Sequence, residues 1–101
     1  MPVEFVYGKD TLTAVLKGEI DHHSAAEMRV MTDGELGRAM PRTLVFDMRG
    51  VTFMDSSGIG LIMGRSKLMK TCGGTLSVNS PQPYIRRVLK LSGLERIVSI
   101  T

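Results

Sequence analysis

Residues 3–7 (VEFVY) and 11–17 (TLTAVLK) are two runs rich in β-branched and aromatic residues, joined by Gly8-Lys9-Asp10. The pattern predicts an antiparallel strand pair closed by a three-residue loop. After Gly18-Glu19-Ile20-Asp21, Ser24 stands three residues before Glu27, the spacing of a capping box, so a helix is expected from Ser24 to about Met40. Ala25, Met28, Leu36, Ala39 and Met40 give that helix a loose apolar stripe. Gly34 and Gly37 weaken it by about 1 kcal/mol each relative to Ala. Pro41 ends it.

Residues 43–48 (TLVFDM) form a nearly continuous apolar run, the pattern of a central strand covered on both faces. Residues 49–54 read as a connection into Asp55-Ser56-Ser57-Gly58, and IGLIMGRSKLMK then reads as a helix. Its first half, with Ile59, Leu61, Ile62 and Met63, is apolar almost all round and is expected to be driven into the protein. Arg65, Lys67 and Lys70 predict that its second half emerges. Gly73-Gly74 turns the chain into residues 75–79, where Leu76 and Val78 alternate with polar positions as in a half-buried strand.

A last helix is predicted from a cap at Ser80, with Pro81 at its first position and Pro83 in the tolerant first turn. Tyr84, Ile85, Val88, Leu89 and Leu91 are its expected buried side, Arg86, Arg87 and Lys90 its opposite face, and Gly93 its terminator. Residues 97–100 read as a short final strand. The order β, β, α, β, α, β, α, β, with helices long enough for right-handed crossovers, predicts an α/β fold as one domain over residues 1–101.

Composition narrows the functions this fold can carry. The 101 residues fit one compact domain, with 43% hydrophobic and 23% charged positions, as in ordinary globular chains. The core is expected to consist of Val, Ile, Leu and the eight Met, because there are only two Tyr and three Phe. That scarcity excludes aromatic platforms for stacked bases. No apolar run approaches the roughly eighteen residues that span a bilayer, and the start lacks a basic segment, so neither a membrane association nor a leader is expected and the protein is placed in the cytoplasm. Cys72 stands alone, which excludes an intramolecular disulfide, and it is read as a small half-buried hydrophobe.

The net charge of +3 hides an asymmetry: residues 1–50 carry six basic and eight acidic side chains, residues 51–101 seven and two. Such a basic half suits a nucleic acid, a solvated pair of helix faces or a landing surface for an acidic protein. Direct nucleic-acid binding is not expected, since Arg86, Arg87 and Lys90 belong to no helix-turn-helix pair.

Candidate chemistry concentrates at Phe53-Met54-Asp55-Ser56-Ser57-Gly58, a strand-to-helix connection of the kind where α/β sheets expose functional groups. A Ser at a helix entry sits beside unpaired N–H groups and the positive end of the macrodipole, so Ser56 or Ser57 can carry a phosphate without unfolding the helix. The bland alternative is that one Ser caps the helix and the other is polar filler. Gly58-Ile59-Gly60-Leu61-Ile62-Met63-Gly64 mimics a dinucleotide loop, but its last Gly comes one place late and inside an apolar helix, where close packing explains it better. A hydrolase using Ser56 with His22 or His23 lacks a G-x-S-x-G elbow. Asp21-His22-His23 lacks a third ligand at helix spacing, so no metal or other cofactor is expected.

Gly18-Glu19-Ile20-Asp21-His22-His23 and FMDSSGIGLIMGR at residues 53–65, together with Leu91-Ser92-Gly93-Leu94, resemble the STAS family, in particular the anti-sigma factor antagonists of the sporulation type that counter the anti-sigma F factor. The resemblance implies one STAS domain with a mixed β-sheet of about five strands and helices mainly on one face. It implies a non-enzymatic switch: the unphosphorylated chain binds an anti-sigma factor that is also a serine kinase, and so frees the sigma factor. Phosphorylation by that partner, which holds the ATP, ends binding, and a PP2C-type serine phosphatase restores it. By motif position the phosphoacceptor is Ser56, and the implied partner-binding residues are Asp21, His22, Ser24, Met54, Asp55, Ser56, Ser57, Gly58 and Ile59. The alternative is a STAS module of another partner-switching pathway, such as a stress response.

Overall fold

The computed structural model describes residues 3–101. Strands β1 (Val3–Gly8) and β2 (Thr11–Ile20) form the expected antiparallel pair, with Gly8 opposite Thr11. The turn is therefore two residues rather than three, and Asp10 closes it at φ 59°. Its carbonyl accepts from the N–H groups of Arg42 and Thr43, tying the hairpin to the start of the central strand.

Helix α1 (His22–Ala39), strand β3 (Thr43–Met54), helix α2 (Ser56–Thr71), strand β4 (Thr75–Asn79), helix α3 (Pro83–Leu91), a short 3-10 turn (Leu94–Arg96) and strand β5 (Ser99–Ile100) follow. The sheet runs in sequence order, β1-β2-β3-β4-β5, and β2 to β5 are mutually parallel. Each parallel connection steps the same way across the sheet. Right-handed crossovers then place all three helices on one face.

That face holds the core. Leu12, Leu44 and Leu76 lie in one row across β2, β3 and β4, and Ala14, Phe46 and Val78 in the next. All six are buried, and Met28, Ile62, Ile85 and Leu89 join them from the helices. The opposite face carries Thr13, Val15, Val45, Asp47 and Ser77, all half-buried. The expectation that β3 is covered on both faces is thus corrected: Val45 is screened by neighbouring strands, not by a helix.

Both β2 and β3 run further than their patterns suggest. Residues 49–54 are strand, not connection, and pair with β2 up to Ile20 beside Met54. Two register shifts, between Val15 and Lys17 and between Gly18 and Glu19, absorb two extra residues in β3. Gly18 has φ 81°, a conformation that a side chain disfavours, which is why a Gly stands there. The shifts break the alternation that a regular strand would show, yet keep Val51 and Met54 in the core.

The third helix also departs from expectation. It begins at Pro83 with Gln82 as N-cap, and Ser80, at φ 58°, belongs to the preceding turn. Tyr84 and Leu91 are exposed, leaving Ile85 and Leu89 as its buried anchors. Gly93 terminates it in the left-handed region as predicted, but the 3-10 turn that follows leaves only two residues for β5. Ala39 and Met40 are exposed at the end of α1, and Cys72 is exposed rather than half-buried. Among the described residues no helix is long and apolar enough to cross a membrane.

Candidate functional site at the paired helix entries

Strands β2 and β3 end side by side and both turn into helices through an aspartate. Ile20 pairs with Met54, and the N–H of Asp55 donates to the Ile20 carbonyl at 3.2 Å. One residue later Asp21 caps α1 and Asp55 caps α2. The Ser24 N–H donates to Asp21 Oδ1 at 2.9 Å, and the Asp21 N–H donates to Ser24 Oγ at 2.9 Å. The capping box is therefore Asp21 with Ser24, not Ser24 with Glu27. The reason is tertiary: pairing with β3 keeps the chain extended to Ile20, so the nearest capping residue is Asp21. The Ser24 hydroxyl also donates to the Glu19 carbonyl at 2.7 Å, stapling the end of β2 to the first turn of α1.

The same logic holds at α2. The Ser57 N–H donates to Asp55 Oδ1 at 2.8 Å, so neither serine is the cap. Ser56 is the first residue of α2 and is exposed, and among the described residues its hydroxyl has no hydrogen-bond partner. It thus stands free over the positive end of α2, one place further into the helix than an N-cap would put it. Ser57 is half-buried and lines a groove between α1 and α2 with His22, Ala25, Ala26, Arg29, Gly60 and Leu61. Arg29 was not singled out from sequence, and Gly60 only as a packing glycine, not as a residue of this groove. Their spacing from His22 and Ser57, seven and three residues along a helix, is a signal that becomes readable only once the two helices are known to be neighbours.

Of the residues assigned to partner contact, Asp21, His22, Ser24, Asp55, Ser56 and Ser57 come together at this end of the sheet with polar atoms in reach of solvent. Ile59 is half-buried against the core. Met54 and Gly58 are buried, and their part is support from beneath. A Cβ on Gly58 would sit 2.5 Å from Sδ of Met54 and 3.2 Å from Cγ2 of Ile20. Gly58 therefore lets α2 start tight against the ends of both strands. Gly60 and Gly64, expected to serve close packing, face open space instead.

This contrast sets an expected result. Gly58→Ala should lower stability by about 1–2 kcal/mol, the overpacking cost less the helix-propensity gain. Gly60→Ala and Gly64→Ala, free of contacts, should each raise it by up to about 1 kcal/mol. Urea midpoints of the three variants check the ordering.

Arg65 does not simply emerge into solvent as its sequence context suggested. Its Nε lies 3.2 Å from Asp33 Oδ1, and its side chain is only 13% exposed, so it bridges α2 to α1. That contact holds the two helices beside one another below the groove.

Asp21 is the titratable group the cap controls. Hydrogen bonds from the Ser24 backbone N–H, then from its side chain, hold the Asp21 carboxyl below its ordinary value of 3.8. A depressed folded value means the cap stabilises the fold above the unfolded value and is lost as pH falls through the lower, folded one. Asp21→Asn keeps a capping side chain but removes the titration. The decline of its urea midpoint between pH 5 and pH 2 should be shallower than that of the parent chain. The Glu4 carboxyl, lowered by its hydrogen bond and ion pair with Lys17, supplies part of the remaining slope.

The STAS domain signature matches residues 6–101. The chain belongs to the STAS domain family. Its relatives include the anti-sigma F factor antagonist of Paenibacillus polymyxa, 35% identical over 100 residues that cover 99% of this chain and 86% of that protein. The solved structure of the anti-sigma factor antagonist SpoIIAA in its unphosphorylated form superposes with a TM-score of 0.84 at 27% identity, covering 98% of this chain and 87% of that one. SpoIIAA from Bacillus in the phosphorylated form superposes with a TM-score of 0.75 at 27% identity, covering 98% and 90%. This STAS chain shares the five-stranded mixed sheet and three-helix order with that neighbour.

Proposed function

We propose that this STAS protein is an anti-sigma factor antagonist whose binding is switched by phosphorylation of Ser56. The observation that carries the reading is the free, exposed hydroxyl at the first position of α2, set on a rigid entry whose cap and packing are supplied by other residues. Acceptance of a phosphoryl group needs only presentation. The partner, an anti-sigma factor that is itself a serine kinase, brings ATP, metal and base. Ser56 Oγ attacks the γ-phosphorus, the bond to the ADP oxygen breaks, and the hydroxyl proton passes to the kinase base. A PP2C-type serine phosphatase then hydrolyses the ester and restores the hydroxyl.

The electrostatics around Ser56 favour a switch that acts on the partner and spares the fold. A phosphoserine adds about −1.5 to −2 charges at neutral pH. On its own helix this charge meets the positive end of the α2 macrodipole and is tolerated. Toward a docked partner it adds to the carboxylates of Asp55 and Asp21, and the desolvated contact is lost. SpoIIAA is similar in fold to this chain in both its unphosphorylated and phosphorylated forms, which supports a switch that leaves the scaffold standing. Asp21, His22, Ser24, Ser57 and Ile59 complete the proposed contact surface, with Met54 and Gly58 beneath it.

The test is incubation with a candidate ATPase kinase of the GHKL type and ATP, followed by mass mapping of the modified peptide. Phosphate is expected on Ser56 and absent from Ser56→Ala. A Ser56→Ala chain modified as fast as the parent, with Ser57→Ala unmodified, would move the acceptor to Ser57. Failure of every such kinase to bind the unphosphorylated chain would remove the function itself.

A further inference from the structure

We infer, resting on the reading of Ser56 as phosphoacceptor, that Arg29 is a specificity-determining residue of the same contact. It holds a carboxylate of the docked kinase in the groove between α1 and α2. The groove encloses about 310 Å³, the lower end of the range for small-molecule sites, which suits an inserted side chain. Among the described residues, Arg29 and His22 are the only charged or titratable groups that line it. The rest of its lining is small or uncharged, from Ala25 and Ala26 to Ser57, Gly60 and Leu61. A Cβ on Gly60 would meet no atom within 4 Å, so the α2 wall is low at that point.

Helix geometry directs Arg29 to this task. The side chains three and four places from it on α1 are Ala25, Ala26, Thr32 and Asp33, so Asp33 is the one acid beside it along the helix. That carboxylate, one turn further from the helix entries, lies against Arg65 of α2, with Oδ1 3.2 Å from Nε. On α2 the facing residues Ser57, Gly60 and Leu61 carry no charge. Long side chains on a helix lean toward its N-terminus, which carries the Arg29 guanidinium toward Ser57 and the entry. A kinase that reaches Ser56 also finds the groove open, because Ser57, the next residue of the chain, lines it. The approaching surface therefore meets the carboxylates of Asp21 and Asp55 at the helix entries and a guanidinium about two turns further along α1. A partner with a cation for the first and a carboxylate for the second fits in one orientation, since opposed charges fix register. The planar fork of Arg holds that carboxylate through two parallel N–H donors, which a Lys does not reproduce.

The test measures binding of the unphosphorylated chain to the GHKL-type kinase loaded with a non-hydrolysable ATP analogue. Arg29→Ala should weaken binding on the order of tenfold and Arg29→Glu on the order of a hundredfold, with Arg29→Lys between the parent and Arg29→Ala. Urea midpoints of the three should stay near the parent's, because Arg29 is exposed. With ATP, the KM for the chain should rise in Arg29→Ala while kcat for Ser56 phosphorylation stays, as a lost docking contact requires. Replacing the acids of the kinase one at a time by Lys should find one change that restores binding of Arg29→Glu. Lys9→Glu, an equal change of charge in the exposed hairpin turn at the opposite end of the sheet, should weaken binding by no more than about twofold. Binding of Arg29→Glu as tight as the parent's, or an equal loss in Lys9→Glu, would overturn the inference and leave the function standing. A parent chain that binds no such kinase would remove the function, and the role of Arg29 with it.

Discussion

A Ser56→Asp chain is expected to bind its anti-sigma partner at least about tenfold more weakly than the parent, a loss of about 1.4 kcal/mol or more. Its urea midpoint should be unchanged or slightly raised. The two effects have opposite signs because the same charge meets two different environments. In the free chain a carboxylate at the first position of α2 faces the unpaired N–H groups of that turn, worth about 0.3–1 kcal/mol of stabilisation. In the complex it is desolvated beside Asp55 and near Asp21, where like charge is costly. Ser56→Ala separates the roles further, since it removes only a solvent-facing hydroxyl and should retain binding. Titration of the three chains against the partner by calorimetry, with urea unfolding of each, checks both halves. Equal affinity of the Asp variant and the parent would show that the hydroxyl lies outside the contact.

Phe46→Ala is expected to cost about 3–5 kcal/mol, a large part of the roughly 5–15 kcal/mol that holds a typical domain together. Phe46 is fully buried in the first half of β3, with Ala14 on one side and Val78 on the other in the same row. Its ring fills the space that the small Ala14 leaves under the helices, so its removal opens a cavity that rigid strands on both sides cannot close. The urea midpoint should fall with little change in slope. Phe46→Leu, which retains most of the volume, should lose distinctly less. A loss below about 1 kcal/mol in Phe46→Ala would mean that the rows of side chains across β2, β3 and β4 do not form the centre of the core.

The legible parts of the fold were those whose signals are local. The hairpin, the Pro41 stop, the alternating Leu76 and Val78 and the Gly93 terminator were each readable from neighbouring residues, and together they imply the α/β order. The site was half legible. Asp-Ser-Ser-Gly at a helix entry marks a place for an anion, but Ser and Asp are both good caps, and sequence spacing favoured Ser24 and the serines after Asp55. Strand pairing decided otherwise. Because Ile20 and Met54 hold each other extended, the first residue free to turn is an aspartate in both cases. Ser56 is thereby released from capping and left with an unengaged hydroxyl, which suits a phosphoacceptor better than a cap would.

The groove beside it followed the same rule. Ala26 and Arg29 carry no motif, and their meeting, with His22, against Ser57 and Gly60 depends on α1 and α2 packing in parallel, bridged by Arg65 and Asp33.

From its residues alone the chain declares its element order, its apolar strand centres and the Asp-Ser-Ser-Gly helix entry, because each rests on the preferences of residues close together in the chain. The tertiary structure decided which residue caps each helix, which glycines touch anything, and that all helices share one face. Those outcomes depend on strand register and crossover hand, which are set by contacts between segments tens of residues apart.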